Sequence, residues 1–120
     1  MALKDRFHRL TTPTHELDAE RRRSELAGRP GSTPIGELMA RQEVTAAGQI
    51  SALRIVPGRD GSPRLEATLT DGTGYLIALW TGRRAIAGIK PGQKLTVTGR
   101  PAPIGPGGRL LIYNPRYEFL

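Results

Sequence analysis

The sequence predicts a mainly β fold, a small barrel of five strands preceded by a short helical extension. From Glu43 onward, apolar and polar residues alternate in several runs, which is the period of a half-buried strand. The 15 glycines and 10 prolines fall in short clusters between these runs, as turns do. A chain of 120 residues is long enough to bury one modest core, so we expect one folded domain.

Residues 1–33 are predicted to form a charged arm that contains a helix. The helix would begin near Thr12 or Thr14 and end at Gly28, a residue that commonly stops helices. Acidic and basic residues are mixed along it, which allows pairs between neighbouring turns. We therefore favour an exposed, solvated helix over a dedicated nucleic-acid arm.

A second short helix, over 34–41, is predicted to lead into the folded domain at 34–120. Thr33 suits the N-cap and Pro34 suits the first helical position. Ile35, Leu38 and Met39 would then share one apolar face. That face is expected to plug one end of the barrel or to pack on its side.

The barrel is predicted over 43–120. Its first strand, 44–56, is long and contains Gly48, which is typical of a bend where one strand serves two halves of a barrel. The later strands are predicted at 65–70, 75–80, 95–98 and 109–113, with a bend at Asn114-Pro115. Five strands, with a short connection after the third, match the order of an OB-fold Greek-key barrel. An SH3-like barrel is the alternative, which the long first strand and the segment after strand three disfavour.

The charge indicates a polyanionic partner. The net charge is +7, from eight basic and six acidic residues in 1–42 and ten basic and five acidic residues in 43–120. The predicted barrel is thus the more basic part. Nucleic acid is the favoured partner, ahead of an anionic membrane surface.

Several function classes lack support in the sequence. The absence of cysteine excludes disulfides, thiol catalysis and cysteine-ligated zinc, and it fits a reducing cytoplasm. No phosphate-binding glycine loop is present, and the spacing of His8 and His15 matches no common metal site. No apolar run approaches about 18 residues, and residues 1–10 lack the apolar region of a secretory signal. We expect a cytoplasmic protein that is not an enzyme, with no cofactor and no metal.

Two sets of segments carry a resemblance to known families. Gly48-Gln49-Ile50, followed by 65–74 with its Asp71-x-x-Gly74 turn, resembles OB domains of the anticodon-binding and helicase-wedge type. The segments 80–84, 88–92 and 113–118 resemble small actinobacterial OB-fold proteins described as nucleic-acid binding. The likeness spans about residues 35–120. The resemblance implies an OB barrel. It implies nucleic-acid binding less directly, because a shared fold does not by itself establish a shared function.

The expected binding surface lies on strands two and three, flanked by the loops between strands one and two and between strands four and five. Arginines in these loops can contact phosphates and stack on bases. Strand three has two faces, 75/77/79 and 76/78/80, and the alternation does not say which points outward, so both of its aromatic residues are candidates for stacking. The candidate nucleic-acid-binding residues are Arg59, Arg64, Tyr75, Trp80, Arg83, Arg84, Arg100 and Arg109.

Some of these residues have simpler interpretations. Arg83 and Arg84 can instead form surface salt bridges, with Glu66, Asp71 or Glu118 as partners. Tyr113 and Tyr117 are better explained as packing residues at the closing edge of the barrel than as stacking platforms.

The predicted function is binding of single-stranded DNA or RNA with little sequence preference. The alternative is a protein-interaction or assembly module that uses the outer face of strand three for dimerisation or for a protein partner.

Overall fold

The structure, a computed structural model, describes residues 25–120. Most of the predicted arm, including His8 and His15, therefore lies outside the described residues. Residues 25–27 are helical and are followed by a turn at Gly28. Leu26 in this segment is buried.

The helix predicted over 34–41 is much shorter in the structure. It is a single 3-10 turn, η1 (Ile35–Glu37), preceded by Pro34 without a side-chain cap. Leu38 is already extended, with φ −64° and ψ 141°, which ends the turn. Of the predicted apolar face, Ile35 is buried in the core and Leu38 packs against it half-buried, whereas Met39 is 62% exposed.

Seven strands follow η1 and form one mixed sheet. In chain order they are β1 (Val44–Pro57), β2 (Pro63–Thr70), β3 (Tyr75–Thr81), β4 (Lys94–Gly99), β5 (Ala102–Pro103), β6 (Leu110–Tyr113) and β7 (Arg116–Phe119). Their order in the sheet is β5-β6-β3-β2-β1-β4-β7. All neighbouring pairs are antiparallel except β3 and β6, which are parallel.

The long first strand serves two halves of the sheet, as predicted. Residues 44–49 of β1 pair with β4, and residues 49–57 pair with β2. Gly48 lies at the crossing, where an added Cβ would be 3.1 Å from the Cβ of Leu69. The register then shifts between Ile50 and Ala52, which places a bulge just after the crossing.

The predicted count of five strands is wrong, because two further short strands form in the last 20 residues of the chain. The bend predicted at Asn114-Pro115 is present, since Asn114 has a positive φ of 48° and Pro115 has no N–H to donate, but the residues after it form a further strand, β7. A two-residue strand, β5, also forms within the predicted loop from 99 to 108. Because β6 pairs with β3 and β7 pairs with β4, residues 110–119 join the two ends of the curled sheet. The resulting architecture is consistent with an OB-type barrel.

The core lies inside the curl of the sheet. It contains alternate residues of the central strands, such as Leu69, Leu76 and Leu95, each 0% exposed. The connection from β3 to β4 has no regular helix, and its Ile86 and Ile89 pack against this core. No helix within residues 25–120 has both the length and the apolar character needed to cross a membrane.

Candidate nucleic-acid interface

A groove of about 540 Å³ lies over the start of β3, on the outer face of the sheet. It is bounded by three parts of the chain that are distant in sequence: the η1 segment, the β2–β3 pair and the loop before β6. The lining residues are Ile35, Gly36, Leu38, Thr68, Gly74, Tyr75, Ile77, Gly107, Gly108, Arg109 and Leu110. None of them is acidic.

Tyr75 provides the accessible aromatic surface of this groove. It pairs across the sheet with Thr70, one residue beyond the buried pair of Leu69 and Leu76, so alternation directs its ring outward. The residue is 70% exposed. An exposed aromatic ring on a β face is the kind of platform on which a base can stack.

The loop before β6 presents backbone to the groove. Gly107 and Gly108 have positive φ values of 94° and 73°, which a residue with a side chain rarely adopts. No atom lies within 4 Å of a Cβ built at either position. Their conformation, and not a lack of space, therefore requires glycine. The loop is closed by the Ile104 N–H, which donates to the carbonyl of Arg109 at 2.9 Å.

The η1 segment is attached to the β2–β3 turn through Asp71. This carboxylate is 1% exposed and is the only buried charged side chain among residues 25–120. Its Oδ2 accepts from the Ile35 N–H at 2.9 Å, while Oδ1 accepts from the Thr73 N–H at 2.9 Å and from the Thr73 hydroxyl at 2.6 Å. Thr73 Oγ1 in turn accepts from the Gly36 N–H at 2.9 Å. We call these four hydrogen bonds the η1 clamp.

The candidate arginines occupy both ends of β3. The Gly82 N–H donates to the Pro63 carbonyl at 2.8 Å, which brings the start of the β3–β4 connection beside the β1–β2 loop. Arg59, Arg64, Arg83 and Arg84 therefore lie toward one end of the strand. Arg109 lies at the other end, because β6 starts beside Leu76. Six residue steps at about 3.3 Å separate the two ends by about 20 Å.

Arg100 lies apart from these residues. Its guanidinium donates to the carbonyl of Arg41 at 3.2 Å, and it does not line the groove. Nearby, Arg116 donates to Glu43 at 2.6 Å. That hydrogen bond, together with the charge of Arg116, holds the pKa of Glu43 below its ordinary value, and the charge of Arg100 acts in the same direction more weakly.

Trp80 is not available as a stacking surface. It lies on the inward face of β3 with Leu76 and Ala78 and is 6% exposed. Its Nε1 donates to the carbonyl of Pro115 at 3.3 Å, and the edge of the Tyr117 ring packs against it at a centroid distance of 5.7 Å. The structure therefore resolves the open question about strand three, and it leaves Tyr75 as the stacking candidate.

Of the three acidic partners suggested for Arg83 and Arg84, two have other partners, and the third, Glu118, lies on β7 opposite Thr96 of β4. Glu66 is paired with Arg54 at 2.8 Å, and Asp71 is buried in the η1 clamp. Within the described part of the chain, Arg83 and Arg84 form no salt bridge. Both residues are exposed, so their charges are available to a ligand.

Beyond Tyr75, the apolar residues on the outer face of β3 are buried. Ile77, Leu79 and Leu111 are 7%, 4% and 5% exposed, and Ile104 packs against them. This leaves little apolar surface there for the alternative function, a protein contact through strand three. The exposed aromatic residue beyond this cluster is Tyr113, at 54%.

Of the residues that line the groove, only Tyr75 and Arg109 are among the binding residues that the sequence predicts. Thr68 could have been found, because it alternates with buried residues on strand two and must face outward. Gly36 and Leu38 could not, because their position depends on the η1 clamp, which joins residues 36 and 37 positions apart.

Comparisons with solved structures agree with this architecture. The structure of RecG bound to a three-way DNA junction matches with a TM-score of 0.59 and 20% identity, over 71% of this chain and 12% of the RecG chain. The replication Factor A related protein from Methanobacterium thermoautotrophicum matches with a TM-score of 0.56 and 19% identity, over 74% of this chain and 90% of that protein. At these identities the likeness concerns the fold. No protein-family model and no curated protein matches the sequence, so the resemblance to the actinobacterial family stays a prediction.

Proposed function

We propose that this protein binds single-stranded nucleic acid with little sequence preference, across the outer face of β2 and β3. The observation that carries the proposal is the groove, where the exposed ring of Tyr75 lies beside Arg109 and the backbone of two glycines. Strands two and three are also the usual binding face of OB barrels. Both solved structures that share the fold have names connected with DNA or replication, which favours the same class of ligand.

The path of the ligand follows from the positions of the charges. A strand that runs along β3 would meet Arg109 and Tyr75 first and then, about 20 Å further on, the arginines near the β1–β2 loop. Single strands occupy about 4–16 nucleotides on an OB fold, which is compatible with this span. Of the exposed acidic residues among residues 34–120, Glu43 and Glu118 lie near β4 and β7, whereas Glu37 lies in η1 and Asp60 lies in the β1–β2 loop.

The energetic contributions separate into two measurable parts. Stacking of a base on Tyr75 is worth about 1–3 kcal/mol, which corresponds to an affinity change of about 5-fold to 150-fold. Each phosphate contact on a single strand contributes about 0.7 to the slope of log affinity against log salt. We also propose that the protein has no enzymatic activity.

The test is fluorescence anisotropy with labelled single-stranded and duplex DNA and RNA of equal length, at several salt concentrations. We expect salt-dependent binding that is stronger for single strands. Tyr75→Ala should weaken it about fivefold or more, and Phe119→Ala is the matched control because Phe119 is an exposed aromatic residue on β7, which pairs with β4 and lies outside the groove. Arg109→Ala should lower the salt slope by about 0.7.

Failure has a clear form in this experiment. Absence of binding at low salt, in spite of the +7 charge, would refute the proposal. If the protein binds no nucleic acid, and sedimentation shows that its mass doubles as its concentration rises, the result would instead favour the alternative function, an assembly module. Equal effects of Tyr75→Ala and Phe119→Ala would show that the groove is not the site.

A further inference from the structure

We infer that the groove is a pocket for one unstacked base, and that η1 forms a wall of this pocket that Asp71 and Thr73 hold in place. The inference rests on the proposed function. A base of the ligand enters the groove. Asp71 and Thr73, which do not contact the base, determine the affinity for it by positioning η1.

The lining of the groove suits a flat apolar group better than a phosphate. Four aliphatic side chains and the Tyr75 ring face it, whereas its polar side chains are Thr68, Tyr75 itself and Arg109. The volume of about 540 Å³ falls within the range of about 300–1,000 Å³ for pockets that bury small ligands. Arg109 provides the one cation of the lining, so it is placed to contact the phosphate attached to the enclosed base.

A base can enter such a pocket only when it has left the stack. Apolar and aromatic walls provide stacking contacts to every base, and few polar groups are present to distinguish one base from another. A paired base in a duplex does not expose its faces. The pocket therefore explains both a preference for single strands and a low sequence preference.

The η1 wall depends on contacts with the β2–β3 turn. Ile35, Gly36 and Leu38 contribute to the lining, and they precede the barrel in the chain. Two backbone donors of this wall, the N–H groups of Ile35 and Gly36, bind Asp71 Oδ2 and Thr73 Oγ1 respectively, each at 2.9 Å. The position of the wall is therefore set by two side chains of the turn.

The Thr73 hydroxyl connects the two halves of the η1 clamp. It donates to Asp71 Oδ1 at 2.6 Å and accepts from the Gly36 N–H at 2.9 Å. The contact is also close at the backbone, because a Cβ on Gly36 would lie 2.6 Å from the Thr73 carbonyl oxygen. Loss of the hydroxyl, or a methyl group on Gly36, would shift the wall without changing any charge.

Thr73 is therefore a positioning residue, and its replacement should affect base binding and phosphate binding differently. A displaced wall should weaken the contribution of the base and leave the phosphate contacts intact. Affinity for a strand with bases should therefore fall, while the salt slope and the affinity for a strand without bases should not change. If Thr73 contributed only to stability, its replacement would change neither of the two affinities nor the salt slope of the protein that remains folded.

The experiment uses the full chain and two oligonucleotides of about 12 nucleotides, within the site size of an OB fold. One is oligothymidylate and the other has the same backbone with every base absent. Thr73→Val should weaken binding of oligothymidylate about fivefold or more and binding of the abasic strand less than about twofold. Thr73→Ser, which keeps the hydroxyl, should restore the affinity. Met39→Ala is the matched control, because Met39 is exposed on the same segment and does not line the groove.

Gly36→Ala is the second variant, and it should reproduce the effect of Thr73→Val through the clash with the turn. Circular dichroism and urea unfolding confirm that each variant is folded before affinities are compared. If the wild-type protein binds neither oligonucleotide, the proposed function fails. If it binds both equally, the base pocket is refuted while charge-driven binding remains. If it prefers bases but Thr73→Val and Gly36→Ala behave as wild type, the role of the η1 wall is refuted.

Discussion

Replacement of Asp71 by Asn should destabilise the protein by about 1–3 kcal/mol, although the two side chains have the same shape. The remaining Oδ1 can still accept the two hydrogen bonds from Thr73. The amide nitrogen that takes the place of Oδ2 cannot accept from the Ile35 N–H, because both groups are donors. Ile35 is 5% exposed, so water does not readily replace the lost acceptor.

The magnitude has two parts. A buried donor without a partner costs about 1–3 kcal/mol, and the change from a charged to a neutral acceptor weakens the bonds from Thr73 by about 1 kcal/mol in total. Relief from burying a charge offsets part of this loss. For a domain of this size, a net loss of about 2 kcal/mol lowers Tm by about 6–12 °C. Urea unfolding can be followed by the fluorescence of Trp80, the only tryptophan of the chain and a buried one.

The chain contains its own control for this prediction. Asp60-Gly61-Ser62 repeats the local turn of Asp71-Gly72-Thr73, since Asp60 Oδ1 accepts from the Ser62 N–H at 3.0 Å and from the Ser62 hydroxyl at 2.6 Å. These bonds hold the pKa of Asp60 below its ordinary value, but Asp60 is exposed and has no third partner in η1. Asp60→Asn should therefore have a much smaller effect. Equal urea midpoints for Asp60→Asn and Asp71→Asn would refute the reasoning.

Two further predictions concern other parts of the sheet. Arg116→Gln should raise the pKa of Glu43 toward its ordinary value, which an NMR titration would show. Because folding lowers the pKa of Glu43, the Arg116–Glu43 pair stabilises the fold at pH values above the unfolded pKa. This stabilisation is lost as the pH falls through the folded pKa. An unchanged titration of Glu43 in the variant would contradict the pairing. Binding of an unlabelled oligonucleotide should leave the emission of Trp80 nearly unchanged, since its ring is enclosed, and strong quenching on binding would show that Trp80 contacts the bases after all.

The elements with a clear local signal were predicted well. Alternation along Leu65–Thr70 placed β2, and the glycine within the first strand marked the place where β1 crosses from β4 to β2. These features follow from the neighbours of each residue in the chain. The same holds for the turn at Asp71, whose bonds to Thr73 are local.

Other elements depended on partners distant in the chain. The helix expected over 34–41 is a single turn that ends at Leu38, which is extended. Its first two N–H groups, which have no partner within a helix, bind the β2–β3 turn. The bend predicted at Asn114-Pro115 is present, but the residues after it form β7, because the chain there passes from pairing with β3 to pairing with β4. The pairing partner of each segment has no signature in the local pattern.

The sequence by itself determined a basic, mainly β domain with strands of period two and with arginines concentrated in the predicted loops. It could not determine which face of β3 points inward, because both faces are apolar and alternation distinguishes faces only when one of them is polar. The tertiary structure decided this by placing Trp80 in the core and Tyr75 outside. It also decided the groove, because η1, Thr68 and the loop at Gly107 meet only when the sheet has curled.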